Sequence, residues 1–151
     1  MNPPTPNTWT QLTLQGNELF ERGEHLRAIL AYEQARSLAL ACFNDWPDGE
    51  DAVAAVVVST LNLAEAQARA GALDEAAELL ASVHASLLRA SRNSDLHVSL
   101  RDAATRHLRE TQAALLRFEA QHGAHAELRR CLCPDCYAEL HGSPYNARTL
   151  H

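Results

Sequence analysis

The residues best equipped for chemistry sit near the C-terminal end. Cys131-Leu132-Cys133-Pro134-Asp135-Cys136 places three thiols within six residues, and His122, His125 and His141 flank them. A Cys-x-x-Cys turn brings two sulfurs within reach of one ion, and Zn2+ then takes two further Cys or His ligands to complete a tetrahedron. Cys131, Cys133 and Cys136 with His125 or His141 would form such a Cys3His set, and closely spaced thiolates also attract Cu(I). A partner chain in a homodimer would be another source of the missing ligand. A redox pair at Cys133 and Cys136 is the second reading, because a thiol at a helix N-terminus ionises more easily and Pro134 suits a first helical turn. Redox motifs of this kind follow a strand in a βαβ setting, and no strand pattern precedes this one. The third reading is ordinary, partly buried cysteines, and the three stay open on sequence grounds. Cys42, beside Phe43 at the end of an Ala-rich segment, reads as a core residue. His25, His84, His97 and His107 are scattered along predicted helices, as core or solvated residues rather than ligands.

The composition sets what can position these groups. Of 151 residues 46% are apolar but only 5% aromatic, with Ala and Leu dominant, so helices packed closely through small side chains are expected. β-Branched residues are scarce outside Val56–Val58, which argues against sheet. All 13 basic residues are Arg, against 19 Asp and Glu, giving a net charge of −6. Such a chain repels phosphate backbones, so a nucleic-acid partner is not expected. No run of about 18 apolar residues offers a membrane span. The opening Met1-Asn2-Pro3-Pro4-Thr5-Pro6 lacks the basic and apolar stretches of a secretory signal. These features predict a cytoplasmic location, where thiols stay reduced and clustered cysteines favour metal or redox chemistry over disulfides.

Along the chain, residues 1–8 read as a flexible arm, with Asn7 or Thr8 capping a helix that starts at Trp9. Trp9, Leu12, Leu19 and Phe20 recur at helical spacing up to Arg22, and Gly23 ends the pattern. A second helix is expected over 24–43. The turn-rich segment from Asn44 to Gly49 follows, then helices over 50–70, 74–92 (capped by Asp74) and 96–121. Residues 9–122 thus form a helical domain, 123–141 a Cys/His-rich extension that opens with a short helical stretch over 125–130, and 142–151 an extended tail.

Two of the expected hairpins repeat at a separation of 48 residues. Gly16, Gly23, Ala28, Tyr32 and Ala35 in the first align with Ala64, Gly71, Ala76, Leu80 and Val83 in the second. Small residues at Gly16 and Ala28 let the paired helices approach, Gly23 makes the turn, and Tyr32 fills the gap toward the next hairpin. With "GNELFERGEHLRAILAYEQA" and "ARAGALDEAAELL", the chain resembles the tetratricopeptide repeat family over residues 9–92, with longer helices than the family's 34-residue unit. The resemblance implies an all-α stack of antiparallel hairpins, with a fifth helix as an irregular third unit or cap.

It also implies a concave surface lined by the first helix of each hairpin, with Thr13, Asn17, Phe20, Asn62 and Gln67 pointing into it. In some members of that family, Asn and basic residues there clamp the carboxylate end of a partner peptide. Asn17 and Asn62 occupy matching places, but Thr13 stands where a basic residue is expected, so the clamp is incomplete. No glycine-rich phosphate loop, nucleophile elbow or His-Glu-x-x-His pair is present, and an enzyme is not expected. The sequence therefore predicts a protein–protein interaction adaptor or chaperone-like module. The alternative is a metal-handling or redox-sensing protein built around the thiol cluster.

Overall fold

The computed structural model describes residues 6–132, and every regular element within them is a helix. Six helices follow one another: α1 (Pro6–Glu21), α2 (His25–Ala41), α3 (Gly49–Arg69), α4 (Leu73–Arg92), α5 (Val98–His122) and α6 (Ala126–Leu132). A short 3-10 turn, Phe43–Asp45, lies between α2 and α3. Consecutive helices pack against each other from α1 to α5, α3 also packs on α5, and α6 returns onto α4.

The two turns predicted from glycine spacing are built alike. Gly23 and Gly71 adopt φ of 79° and 91°, the left-handed region that costs glycine nothing. Beyond each, the next amide reaches back into the preceding helix, Glu24 N to Leu19 O at 2.9 Å and Ala72 N to Gln67 O at 2.8 Å. These are the closing bonds of a Schellman turn, which satisfy carbonyls the helix leaves unpaired. Behind them, Ala28 and Ala76 are fully buried, and Tyr32 and Leu80 hold equivalent core positions.

Some boundaries differ from the expected ones. The first helix already includes Pro6, Asn7 and Thr8, so it is under way before the expected cap; proline is tolerated in a first turn, where its missing N–H has no partner to lose. Asp74 is not the cap of α4 but lies in its first turn, where its charge favours the positive helix end; Ala72 holds the cap position. Asp48 and His97 do act as side-chain caps, accepting from Glu50 N and Ser99 N. The extension expected from residue 123 begins as a helix of the main body, since Leu128 and Cys131 of α6 are buried in one cluster with Leu80, Ala81 and Leu115.

Three clusters make the core. Leu19, Ala28, Ala31 and Tyr32 meet Leu63 and Ala66, joining the first hairpin to α3. Val53, Val57, Val83 and Leu87 meet Ala103 and Ala104. The third lies where α4, α5 and α6 converge. Cys42 is buried, as expected, and burial pushes its thiol up from the usual value. His84 is a core histidine. Its Nδ1 lies 2.7 Å from Thr111 Oγ1, and since that hydroxyl gives its proton to Leu108 O, Nδ1 carries the donated hydrogen.

Candidate functional site: the cleft between α3 and α5

The helices α1, α3 and α5 run in the same direction. Trp9 Nε1 donates to Ser59 Oγ at 2.6 Å, and Arg69 further along α3 stacks over the Phe20 ring at 5.2 Å. On the other side, Glu50 in the first turn of α3 pairs with Arg106 and, at 3.0 Å, with His107 Nε2 of α5. His107 Nδ1 is in turn 2.9 Å from Glu110 Oε1. Near their starts α3 and α5 are in close contact, with Gly49 against the Leu100 side chain. Further on, alanines at 64, 68 and 114 fill less space than the valines and leucines of the neighbouring cluster, and the two helices leave an open cleft of about 520 Å³.

Its floor is Ala64, Ala68, Leu80, Ala114 and Phe118; its rim is Asn62, Glu65, Arg69, Arg117, Gln121 and His122. Arg69 is held from two sides, by the Phe20 ring and by Glu65 at 3.5 Å. His122 packs on Phe118 in a tilted arrangement, ring centroids 4.7 Å apart and planes 52° from parallel. An apolar floor bordered by a few polar groups is the usual build of a binding groove, where the floor supplies burial and the rim orients the occupant.

The residues predicted to line one groove are divided by the structure. Asn62 faces the cleft, and Phe20 borders it through Arg69. Gln67 does not, and lines a separate cavity with Glu33, Glu75 and Glu78 between α2 and α4. Five residues of helix turn about 140°, so Asn62 and Gln67 cannot share a face, whereas Asn62, Glu65 and Arg69 can. Thr13 is buried, because its face of α1 is the one that Trp9 uses against α3. Asn17 is engaged by its own hairpin: its Oδ1 accepts from the Tyr32 hydroxyl at 2.7 Å. The α5 contribution, Arg117, Phe118, Gln121 and His122, was missed. The available signal was that successive hairpin turns make α3 and α5 parallel; which of their residues meet is set by tertiary packing.

The thiol cluster lies mostly beyond view. Cys133, Cys136 and His141 lie outside the described residues. Cys131 is buried on α6, its Sγ 3.8 Å from Ala81 O, and burial, followed by the Glu127 charge, pushes its thiol up. Both ring nitrogens of His125 are engaged. Nδ1 accepts from Glu127 N at 3.2 Å, so Nε2 carries the proton and donates to Asp74 Oδ1 at 3.0 Å. Among the described residues no group of three His, Cys, Asp or Glu side chains is arranged to hold a metal ion. Nor, among them, is any helix long and apolar enough to cross a membrane.

Residues 7–136 match the model of a family described as a protein of unknown function, DUF2753. The chain belongs to that family. Comparison of this DUF2753 chain with curated proteins and with solved structures finds no match.

The Glu50 cluster, remote from the cleft floor, fixes how α3 and α5 meet. Arg106 holds the Glu50 carboxyl below its ordinary range through hydrogen bonding, with His107 adding to the effect. A carboxylate whose pKa is lowered on folding stabilises the fold above the ordinary carboxylate range, and the contribution is lost as pH falls through its folded value. Glu50→Gln is therefore expected to cost under about 1 kcal/mol at neutral pH, since the pair is partly solvated. Urea melts at pH 7 and pH 3 check this: the difference between wild type and variant should shrink at the lower pH.

Proposed function

We propose that this DUF2753 protein is a docking module, a cytoplasmic tetratricopeptide-like adaptor or chaperone-like protein that holds a peptide or helix of a protein partner. The observation that carries this reading is the α3–α5 cleft, with its alanine floor and cationic and amide rim. Matching glycine turns in the two hairpins support a repeat-like build. An extended or helical segment seated on such a floor gains affinity from apolar burial, while the rim sets its register. The competing reading is metal handling by Cys131, Cys133 and Cys136 with Zn2+ or Cu(I), and it rests on thiol spacing alone.

The test places a photo-crosslinking residue at Asn62 or Gln121, and in parallel at Ser37 or Ser82 on the α2–α4 side. A defined crosslinked partner from the cleft positions only is the expected result. Products from the α2–α4 side alone, or from neither, would reject the cleft. Metal content supplies the counter-test. One metal ion per chain lost in Cys133→Ser/Cys136→Ser, together with loss of function in that variant and none in cleft variants, would move the assignment to metal handling.

A further inference from the structure

The charge on the cleft stands apart from the rest of the chain. The protein carries a net charge of −6, yet the rim sets two guanidinium groups, Arg69 and Arg117, against one carboxylate, Glu65. Glu65 is already engaged by Arg69, and its charge is felt on the far side by the Tyr32 hydroxyl. Arg117 is exposed and carries no ion pair among the described residues. The α2–α4 cavity has the opposite character, with Glu33, Glu75 and Glu78 around Arg36. An acidic ligand is thus repelled by the chain as a whole and attracted at this cleft, which favours encounter here over other faces.

The floor limits what can enter. From Leu61 to Arg69 the helix rises about 12 Å, enough for about four residues of extended peptide. The small side chains at Ala64, Ala68 and Ala114 leave room for a branched apolar residue to settle between the helices, above Leu80. A carboxylate one or two residues along such a peptide comes within reach of Arg117, whose planar guanidinium can take both of its oxygens.

Resting on the docking reading above, we infer that the cleft recognises an internal acidic segment of a partner protein, with one apolar residue seated on the alanine floor and a carboxylate side chain paired with Arg117. Because Asn17 is held by Tyr32 and Thr13 is buried, the Asn17–Asn62 pair that would clamp a chain-end carboxylate is not assembled, so a free C-terminus is not required.

Selection from a library of random octapeptides, displayed without a free C-terminus, tests this on the full chain. The enriched peptides are then synthesised with amidated ends and titrated by fluorescence anisotropy. The expected consensus pairs Leu, Ile or Val with Asp or Glu. Arg117→Glu should weaken its binding about tenfold, whereas Arg109→Glu, the same charge change on α5 outside the cleft, should leave it within about twofold; higher salt should narrow the difference. A neutral or basic consensus that still competes at the cleft would overturn the acidic-segment inference and leave the docking reading standing. Binding equally sensitive to Arg109→Glu would overturn the inference as mere long-range charge. No peptide whose binding depends on cleft residues would overturn both.

Discussion

Leu128→Ala is expected to release α6 from the body and to expose a thiol that is now inaccessible. Leu128 is fully buried and Cys131 nearly so, and they are the two buried residues of a seven-residue helix. A helix this short has no independent stability in water, so it persists only through the face it packs on α4 and α5. Truncating a buried leucine costs about 2–5 kcal/mol through lost burial and the cavity left behind. Apart from the small Cys131 side chain, the ties that remain are partly exposed ion pairs: the His125–Asp74 bond and Arg129 Nε 3.0 Å from Glu119. Such pairs contribute at most about 1 kcal/mol each and cannot make up the loss.

The measurement is iodoacetamide labelling in a Cys133→Ser/Cys136→Ser background, so that only Cys131 and Cys42 report. Cys131 should label at least tenfold faster in the Leu128→Ala variant, while Cys42, buried at the far end of α2, keeps its rate. Equal acceleration of both thiols would mean that α6 unfolds only with the whole molecule. Unchanged labelling of both would mean that Leu128 does not anchor α6. The result also bears on any metal role for Cys131, whose thiol faces Ala81 rather than solvent while α6 is docked.

How far the sequence could be read follows from the kind of interaction each feature depends on. The hairpin turns were legible because a positive φ selects glycine locally, and Gly23 and Gly71 carry that signal without reference to the rest of the fold. The alanines at 28 and 76 were legible for a similar reason: close helix approach excludes larger side chains at fixed spacing from the turn. The groove was only partly legible. Asn62 faces it, but Gln67 lies on another side of the same helix, a distinction that helical periodicity alone could have drawn. What periodicity could not supply is that Asn17 is consumed by Tyr32, or that α5 brings Arg117 beside Arg69. Both depend on tertiary register. The short helix expected over 125–130 forms as Ala126–Leu132, but periodicity could not show that Leu128 and Cys131 pack into the core, which depends on how that helix meets α4 and α5.

The second large effect concerns a close approach within the first hairpin, between Gly16 and Tyr32. Gly16→Ala is expected to destabilise the protein, although alanine is the better helix former by about 1 kcal/mol. A methyl group at residue 16 would stand 2.5 Å from Tyr32 Cε1 and 2.6 Å from Cδ1. Tyr32 cannot swing aside freely, being buried among Leu19, Ala28 and Leu63 with its hydroxyl on Asn17. Forcing extra volume into such a site costs about 1–3 kcal/mol, enough to outweigh the propensity gain.

The second hairpin shows how the conflict is relieved: there the equivalent pair is Ala64 and Leu80, a larger helix residue facing a smaller core one. Tyr32→Leu alone should cost about 1–3 kcal/mol through lost packing and hydrogen bonding, but it opens the space the new methyl needs. In that background Gly16→Ala should change sign and become neutral or stabilising by up to about 1 kcal/mol, as alanine's helix preference acts unopposed. A double-mutant cycle from urea melts measures this directly, with a coupling above about 1 kcal/mol expected for residues in contact. Additive losses would place the strain of Gly16→Ala elsewhere than on the Tyr32 ring. They would also remove the physical reason for pairing Gly16 and Tyr32 in one hairpin with Ala64 and Leu80 in the other.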